Sequence, residues 1–355
     1  MAKRHRTGGL VRRTAGLGIL AAAGAIGYSR FRVSHHLPLP PALPGDLRRT
    51  ENRSGPLAYY VDGEGPPLLL IHSINAAGSA YEVRPIFERE RTRRRVYAVD
   101  LPGFGFSDRS DRAYGIRLYV DAIHDMVDVI AQETGEQALD ALALSLSGEF
   151  LARAAVERPE RLRTLTLVTP TGFERGSSSR RGPEGSTREM RGLYGFFTVP
   201  LWKQALFDLL TSRRSIRFFL QKTYGSKDID EDLFAYDYLT THQPGAPNAP
   251  YAFVSGRLFS GDIRAIYERL TLPVLLAHGT RGDFQDFSEA GWTRSRSNWR
   301  VEPFDTGALV HFEQPDAFLS RLEAFLGQPG TAADEMPAAP FPQQGSEPPG
   351  INPCI

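Results

Sequence analysis

Short runs of consecutive apolar residues alternate along the chain with longer stretches in which apolar residues recur every three or four positions. "PLAYYVDG" and "GPPLLLIHS" predict a strand, a turn and a buried strand, and "RRRVYAVDLPGFGFSD" predicts another buried strand that ends in a glycine-rich turn. From Leu118, "LYVDAIHDMVDVIAQETG" has helical spacing and stops at Gly135. "ALDALALS" reads as a strand, "GEFLARAAVERP" as a helix up to Pro159, and "LRTLTLVTP" as a strand. After an interruption the alternation resumes with the strand "LPVLLAHG", a helical "SEAGWTRSRS", the strand "WRVEPFD" and a last helix, "PDAFLSRLEAFLG". Apolar strands alternating with amphipathic helices specify an α/β fold, a mostly parallel central sheet flanked by helices.

The interruption, residues 173–262, starts polar and glycine-rich and continues as aromatic-rich helical pieces, "YGFFTVPLWKQALFDLL", "SIRFFLQKTYG" and "DLFAYDYL". An insertion after a strand of such a sheet sits at the carboxyl edge, where ligands bind, so this segment is expected to be a helical lid. It divides the core into residues 45–172 and 263–326, with a basic, apolar and proline-rich stretch over 1–44 and a disordered Pro/Gly/Ala-rich tail over 327–355. Within the first stretch, "MAKRHRTGGLVRR" is basic and residues 14–29 are uncharged. The expectation is a short signal anchor that associates the protein with a membrane, its basic flank on the cytoplasmic side. A cleaved export signal through Arg12-Arg13 and a basic tail lying on a surface are the alternatives. Pro38 to Pro44, "PLPPALP", reads as an extended spacer.

Composition removes several classes of function. With 355 residues, 41% hydrophobic, and a formal net charge of +1, the chain is globular and has no overall field for nucleic acid. The single cysteine, Cys354, excludes a disulfide framework and a multi-cysteine zinc site. "GFGFSD" lacks the spacing and the lysine of a phosphate loop. No cofactor and no metal is expected.

Between the strand "ALDALAL" and the helix "GEFLARAA" stands Ala143-Leu144-Ser145-Leu146-Ser147-Gly148. A strand that turns sharply into a helix strains the residue at the bend and requires small residues two before and two after it, here Ala143 and Ser147. Ser145 would project its hydroxyl above the sheet, with the N–H of Leu146 facing a developing oxyanion. From about Leu57 to Leu326 the sequence resembles the α/β-hydrolase fold family, in "LLLIHSINAAGSAYEVRPIF", "VYAVDLPGFGFSD", "LALSLSGEFLARAAVERPERLRTLTLVTPTG", "PVLLAHGTRGDF" and "HFEQPDAFLSRLEAFL". The elbow carries alanine and serine where the family commonly has glycines. The resemblance implies that Ile74 supplies the second oxyanion N–H, that His72 braces the loop, and that Asn75 offers an amide to a substrate carbonyl. It places the orienting acid at Asp283, ahead of Asp286, after a one-residue insertion at Gly282.

The same alignment puts Ala308 where the family has its catalytic histidine and His311 at a second, non-catalytic position. A serine hydroxyl needs a base, and alanine cannot serve. Three arrangements stay open: His311 in a remodelled loop, His242 reaching over from the lid, or no triad. The resemblance implies a serine hydrolase acting on an ester or related acyl substrate, with acyl transfer to an alcohol as a variant; the aromatic-rich lid and the expected anchor point to a lipophilic small molecule. The alternative is an impaired member that binds a hydrophobic ligand or partner.

Overall fold

The computed structural model describes residues 21–177 and 181–327. Eight strands form one sheet: β1 (Asp46–Asn52), β2 (Gly55–Asp62), β3 (Pro67–Ile71), β4 (Arg95–Asp100), β5 (Leu139–Leu144), β6 (Leu162–Val168), β7 (Val274–Gly279) and β8 (Trp299–Phe304). Their order is β1-β2-β4-β3-β5-β6-β7-β8; β2 pairs antiparallel with both β1 and β4, and all other pairs are parallel. Every residue of β3, β5 and β7 is buried, because helices cover both faces of the sheet. β1, "DLRRTEN", is an edge strand whose charged residues leave no apolar alternation to read.

Residues 21–32 are helical (α1). The core helices are α2 (Arg84–Glu90), α3 (Ile116–Thr134), α4 (Ser147–Glu157), α10 (Ile263–Arg269), α11 (Val310–Glu313) and α12 (Pro315–Leu326). In α3 the positions Tyr119, Val120, Ile123, Met126, Val127 and Ile130 form the buried stripe. The helix ends at Gly135, which takes φ 75° and donates its N–H to the Ala131 carbonyl. Tyr119 stacks on Phe150 of α4 at 4.9 Å, which joins two helices on one sheet face.

Between β6 and α10 lie α5 (Leu193–Phe197), α6 (Lys203–Leu210), α7 (Arg213–Tyr224), α8 (Glu231–Thr241) and α9 (Asn248–Val254). Ile216, Leu220 and Tyr224 of α7 and Leu233 and Tyr236 of α8 share an apolar cluster with Leu68 and Leu70 of β3, so the insertion packs on the core. α9, "NAPYAFV", is hidden in the sequence by its glycine- and proline-rich surroundings, yet Ala249, Tyr251 and Ala252 are buried.

The proline-rich segment is docked rather than free. The Leu37 N–H donates to the His242 carbonyl at 3.3 Å, Tyr236 donates to the Pro40 carbonyl at 3.0 Å, and the Ala42 N–H donates to the Tyr60 hydroxyl at 2.9 Å. No helix among the described residues is long and apolar enough to cross a membrane. Residues 14–20 of the expected anchor and the tail from 328 lie outside the described residues.

Candidate active site

Ser145 follows β5 with φ +50°, one of two non-glycine residues described with positive φ. That conformation costs a residue with a Cβ about 1–2 kcal/mol. Here it is held by the Ser145 N–H to the Val168 carbonyl at 2.8 Å and by the Gly148 N–H to the Ser145 carbonyl at 3.0 Å. Gly148, three residues on, has little room for a side chain: a Cβ there would lie 3.2 Å from Pro170. Ser147, in a glycine's usual place, donates its hydroxyl to the His72 carbonyl at 2.6 Å and so ties the elbow to the loop after β3. The Ser145 side chain is partly exposed and hydrogen-bonds no protein group among the described residues.

The loop after β3 is braced from behind. Glu82, fully buried, accepts the Ser73 N–H at 2.7 Å, the Ser73 hydroxyl at 3.0 Å and the Asn75 amide at 2.7 Å. Burial raises its pKa, and these donors pull it back. His72 accepts the Leu101 N–H at 3.0 Å, and its other ring nitrogen donates to the Ser73 carbonyl at 2.6 Å; burial pushes it down to about 4. Fixed in this way, the loop leaves the Ile74 N–H without a partner among the described residues, as the elbow leaves that of Leu146. Asn75 does not offer its amide to a substrate. Its nitrogen is taken by Glu82 and Ser73, and its oxygen accepts the Ala77 N–H at 2.6 Å.

No imidazole among the described residues hydrogen-bonds Ser145. His311 is fully buried, and its Nε2–H donates to the Glu82 carbonyl at 2.7 Å behind the oxyanion loop, while Nδ1 has no partner. Burial pushes it down to about 4, so the ring is neutral. His242 follows α8, where its ring lies 4.0 Å from that of Tyr238 and Nδ1 contacts the Tyr238 carbonyl at 2.7 Å. Asp283 is exposed and faces the Lys222 ammonium at 3.3 Å. Asp286 accepts from Ser288 and from the Arg175 N–H. Thus Ser145, Asp283 and His311 share no hydrogen bond, and neither His242 nor Asp286 replaces them.

The reason lies at the carboxyl end of α7. The Thr223 carbonyl accepts the Ala308 N–H at 2.8 Å, and the Lys222 carbonyl accepts the Asp283 N–H at 3.3 Å. Gly225, at φ +59°, packs so closely that a Cβ there would lie 2.5 Å from the Gly282 nitrogen. The extra residue, Gly282, at φ +80°, lets the loop pass beneath α7 and carries Asp283 to the surface. Ala308 itself stands beside the elbow: its carbonyl accepts the hydroxyl of Thr169 at 2.8 Å, and Thr169 follows the Val168 that holds Ser145. Sequence reasoning missed Glu82, Thr169 and the α7 carbonyls. An acid among apolar residues in "SAYEVRP" was the one signal that could have flagged Glu82.

The neutral His311 has a measurable consequence. Its ring takes up a proton near pH 4 when folded and near the ordinary 6.5 when unfolded, so stability is lost as pH falls through that window. His311→Phe removes the loss. From pH 6.5 to 5 the wild type should lose about 1.5 kcal/mol more than the variant in denaturant unfolding. Parallel pH curves for the two proteins would refute a buried neutral ring.

The architecture is that of an α/β hydrolase, and comparisons agree. Residues 68–321 match the model of the alpha/beta hydrolase family. The chain is 28% identical over 268 residues to the pimeloyl-[acyl-carrier protein] methyl ester esterase of Nitrosomonas europaea, covering 74% of this chain and 96% of that one. It is 29% identical over 226 residues to the Aliivibrio salmonicida protein of the same name, covering 63% and 77%. Among solved structures, a probable hydrolytic enzyme from Pseudomonas aeruginosa superposes with TM-score 0.64 at 19% identity, covering 83% of this chain and 98% of that one. A Bacillus subtilis carboxylesterase gives 0.58 at 17%, covering 87% and 98%. The protein is an enzyme of the hydrolase class. It belongs to the alpha/beta hydrolase family.

Proposed function

We propose that the protein hydrolyses a small acyl ester through a covalent intermediate on Ser145. The observation that carries this reading is the strained Ser145, its hydroxyl bonded to no group among the described residues, between the N–H groups of Ile74 and Leu146, which are likewise unspent there. The Ser145 oxygen attacks the ester carbonyl and passes its proton to a solvent water. The carbonyl electron pair moves onto oxygen, where the two N–H groups stabilise it, and collapse expels the alkoxide, which takes a proton back from water and leaves as the alcohol. Water then releases the acid from the acyl-enzyme. The two esterase relatives support ester chemistry, and the helices α5–α9 act as the lid over the site.

With alanine at 308, no described imidazole takes the serine proton. An oxyanion hole and binding alone leave roughly 10³–10⁴-fold acceleration over water, so turnover is expected to be slow. The test is a long incubation with a fluorophosphonate followed by mass spectrometry of peptides. One adduct, on the peptide that carries Ser145, is expected, formed at the same rate in His311→Phe. A folded protein that never acquires the adduct would favour the second reading suggested by Ala308, a site that binds a ligand without turning it over.

A further inference from the structure

Nine large apolar side chains are strongly exposed among the described residues, and they fall in three segments of the chain. Tyr28 and Phe31 belong to α1; Met190, Phe196, Leu201, Leu209, Phe218 and Phe219 belong to the insertion. The ninth, Phe284, follows Asp283 in the loop docked under the end of α7. The remainder of the core contributes none of the nine. Phe31 is 79% exposed and Leu201 66%, and exposed apolar side chains that gather in a patch mark an interaction site.

Two further observations say what covers this surface. The first is continuity with the N-terminus. His35 pairs with Asp208 of α6 at 3.0 Å, beside the exposed Leu209, and the Gln243 amide donates to the Leu37 carbonyl at 2.7 Å. The chain that follows α1 is therefore tied to the insertion's flank. The second is charge. No acidic residue precedes Asp46, whereas seven lysines and arginines do. α7, "RRSIRFFLQKTY", has no acid and sets Phe218 and Phe219 between the exposed Arg214 and Lys222; of its cations Arg217 pairs with Glu231 and Lys222 with Asp283, while Arg213 and Arg214 face no acid in an ion pair among the described residues. Aromatic side chains flanked by cations on a helix whose other face packs on protein are the chemistry of an anionic lipid interface.

We infer that α1, α6, α7 and the Phe284 loop form a docking surface for an anionic lipid bilayer, on which the protein lies with the Ser145 end of its sheet toward the membrane. This inference goes beyond the ester-hydrolase reading and stands without it. It requires no spanning helix.

The test uses the full chain with Cys354→Ser and a single probe cysteine at Phe218→Cys or Leu209→Cys, labelled with a polarity-sensitive nitrobenzoxadiazole. Gln137→Cys, exposed at the amino end of β5, is the control. Adding phosphatidylcholine vesicles containing phosphatidylglycerol should blue-shift both insertion labels and expose them to quenching by nitroxide lipids, while the label at 137 stays unchanged. Phosphatidylcholine alone should give a weaker response. Phe218→Glu with Phe219→Glu, both at exposed positions, should weaken vesicle partition about tenfold. Vesicle binding with unshifted labels at 218 and 209 would mean that the N-terminus binds alone and would overturn the inference. Absence of vesicle binding would overturn it as well. Labels already blue without lipid would do the same, because a second copy or another segment of the chain would then own the surface.

Discussion

Ala308→His is expected to raise the rate of Ser145 acylation by about 10²-fold, measured as the fluorophosphonate labelling rate and as hydrolysis of a p-nitrophenyl ester. The backbone at 308 is already fixed on both sides, by the Thr223 carbonyl and by the hydroxyl of Thr169, which follows the strand next to the one that ends in the elbow. A base placed there needs no remodelled loop. The gain falls short of a full triad because Asp283 faces Lys222 at the surface and cannot orient the new ring. In serine hydrolases, loss of the acid alone costs about 3 × 10⁴ of a total near 2 × 10⁶, which leaves roughly 10² for serine and histidine together. An unchanged rate in a folded variant would mean that Ser145 is not poised for attack.

Gly105→Ala is expected to destabilise the fold by about 4 kcal/mol and to lower the melting temperature by roughly 10 °C. Gly105 takes φ +48°, and a Cβ there would lie 1.9 Å from the carboxyl carbon of Asp100. Asp100 cannot retreat. It is fully buried, and its two oxygens accept the Ala80 N–H at 2.8 Å and the Phe106 N–H at 2.9 Å. Displacing it strands two buried donors, one of them at the start of the turn that carries Glu82. Gly135→Ala is the comparison: φ is +75°, but nothing lies within 4 Å of the new Cβ, so only the backbone cost of about 1 kcal/mol applies. Equal losses in the two variants would remove Asp100 from the explanation.

What the sequence disclosed follows from what leaves a periodic trace. "PLLLI" and "LDALAL" are buried on both faces and so read as unbroken apolar runs, and the stripe of α3 reads at helical spacing. The bend at Ser145 was legible because its steric demand falls on neighbouring residue types. The fate of the histidines was not, since it is decided by backbone carbonyls: Glu82 offers one to His311, and Thr223 and Lys222 offer theirs to the loops that would carry a base and an acid. A carbonyl has the same chemistry in every residue and writes nothing in the side-chain pattern. β1 and α9 escaped for a related reason, as charge or proline masked their alternation.

The backbone at Ser145 bears on how this protein spends its stability. A glycine would occupy φ +50° without the steric cost, and the serine hydroxyl makes no hydrogen bond among the described residues. The chain therefore carries at this bend a small burden that packing does not return. Under the proposed ester chemistry this is a trade of stability for reactivity.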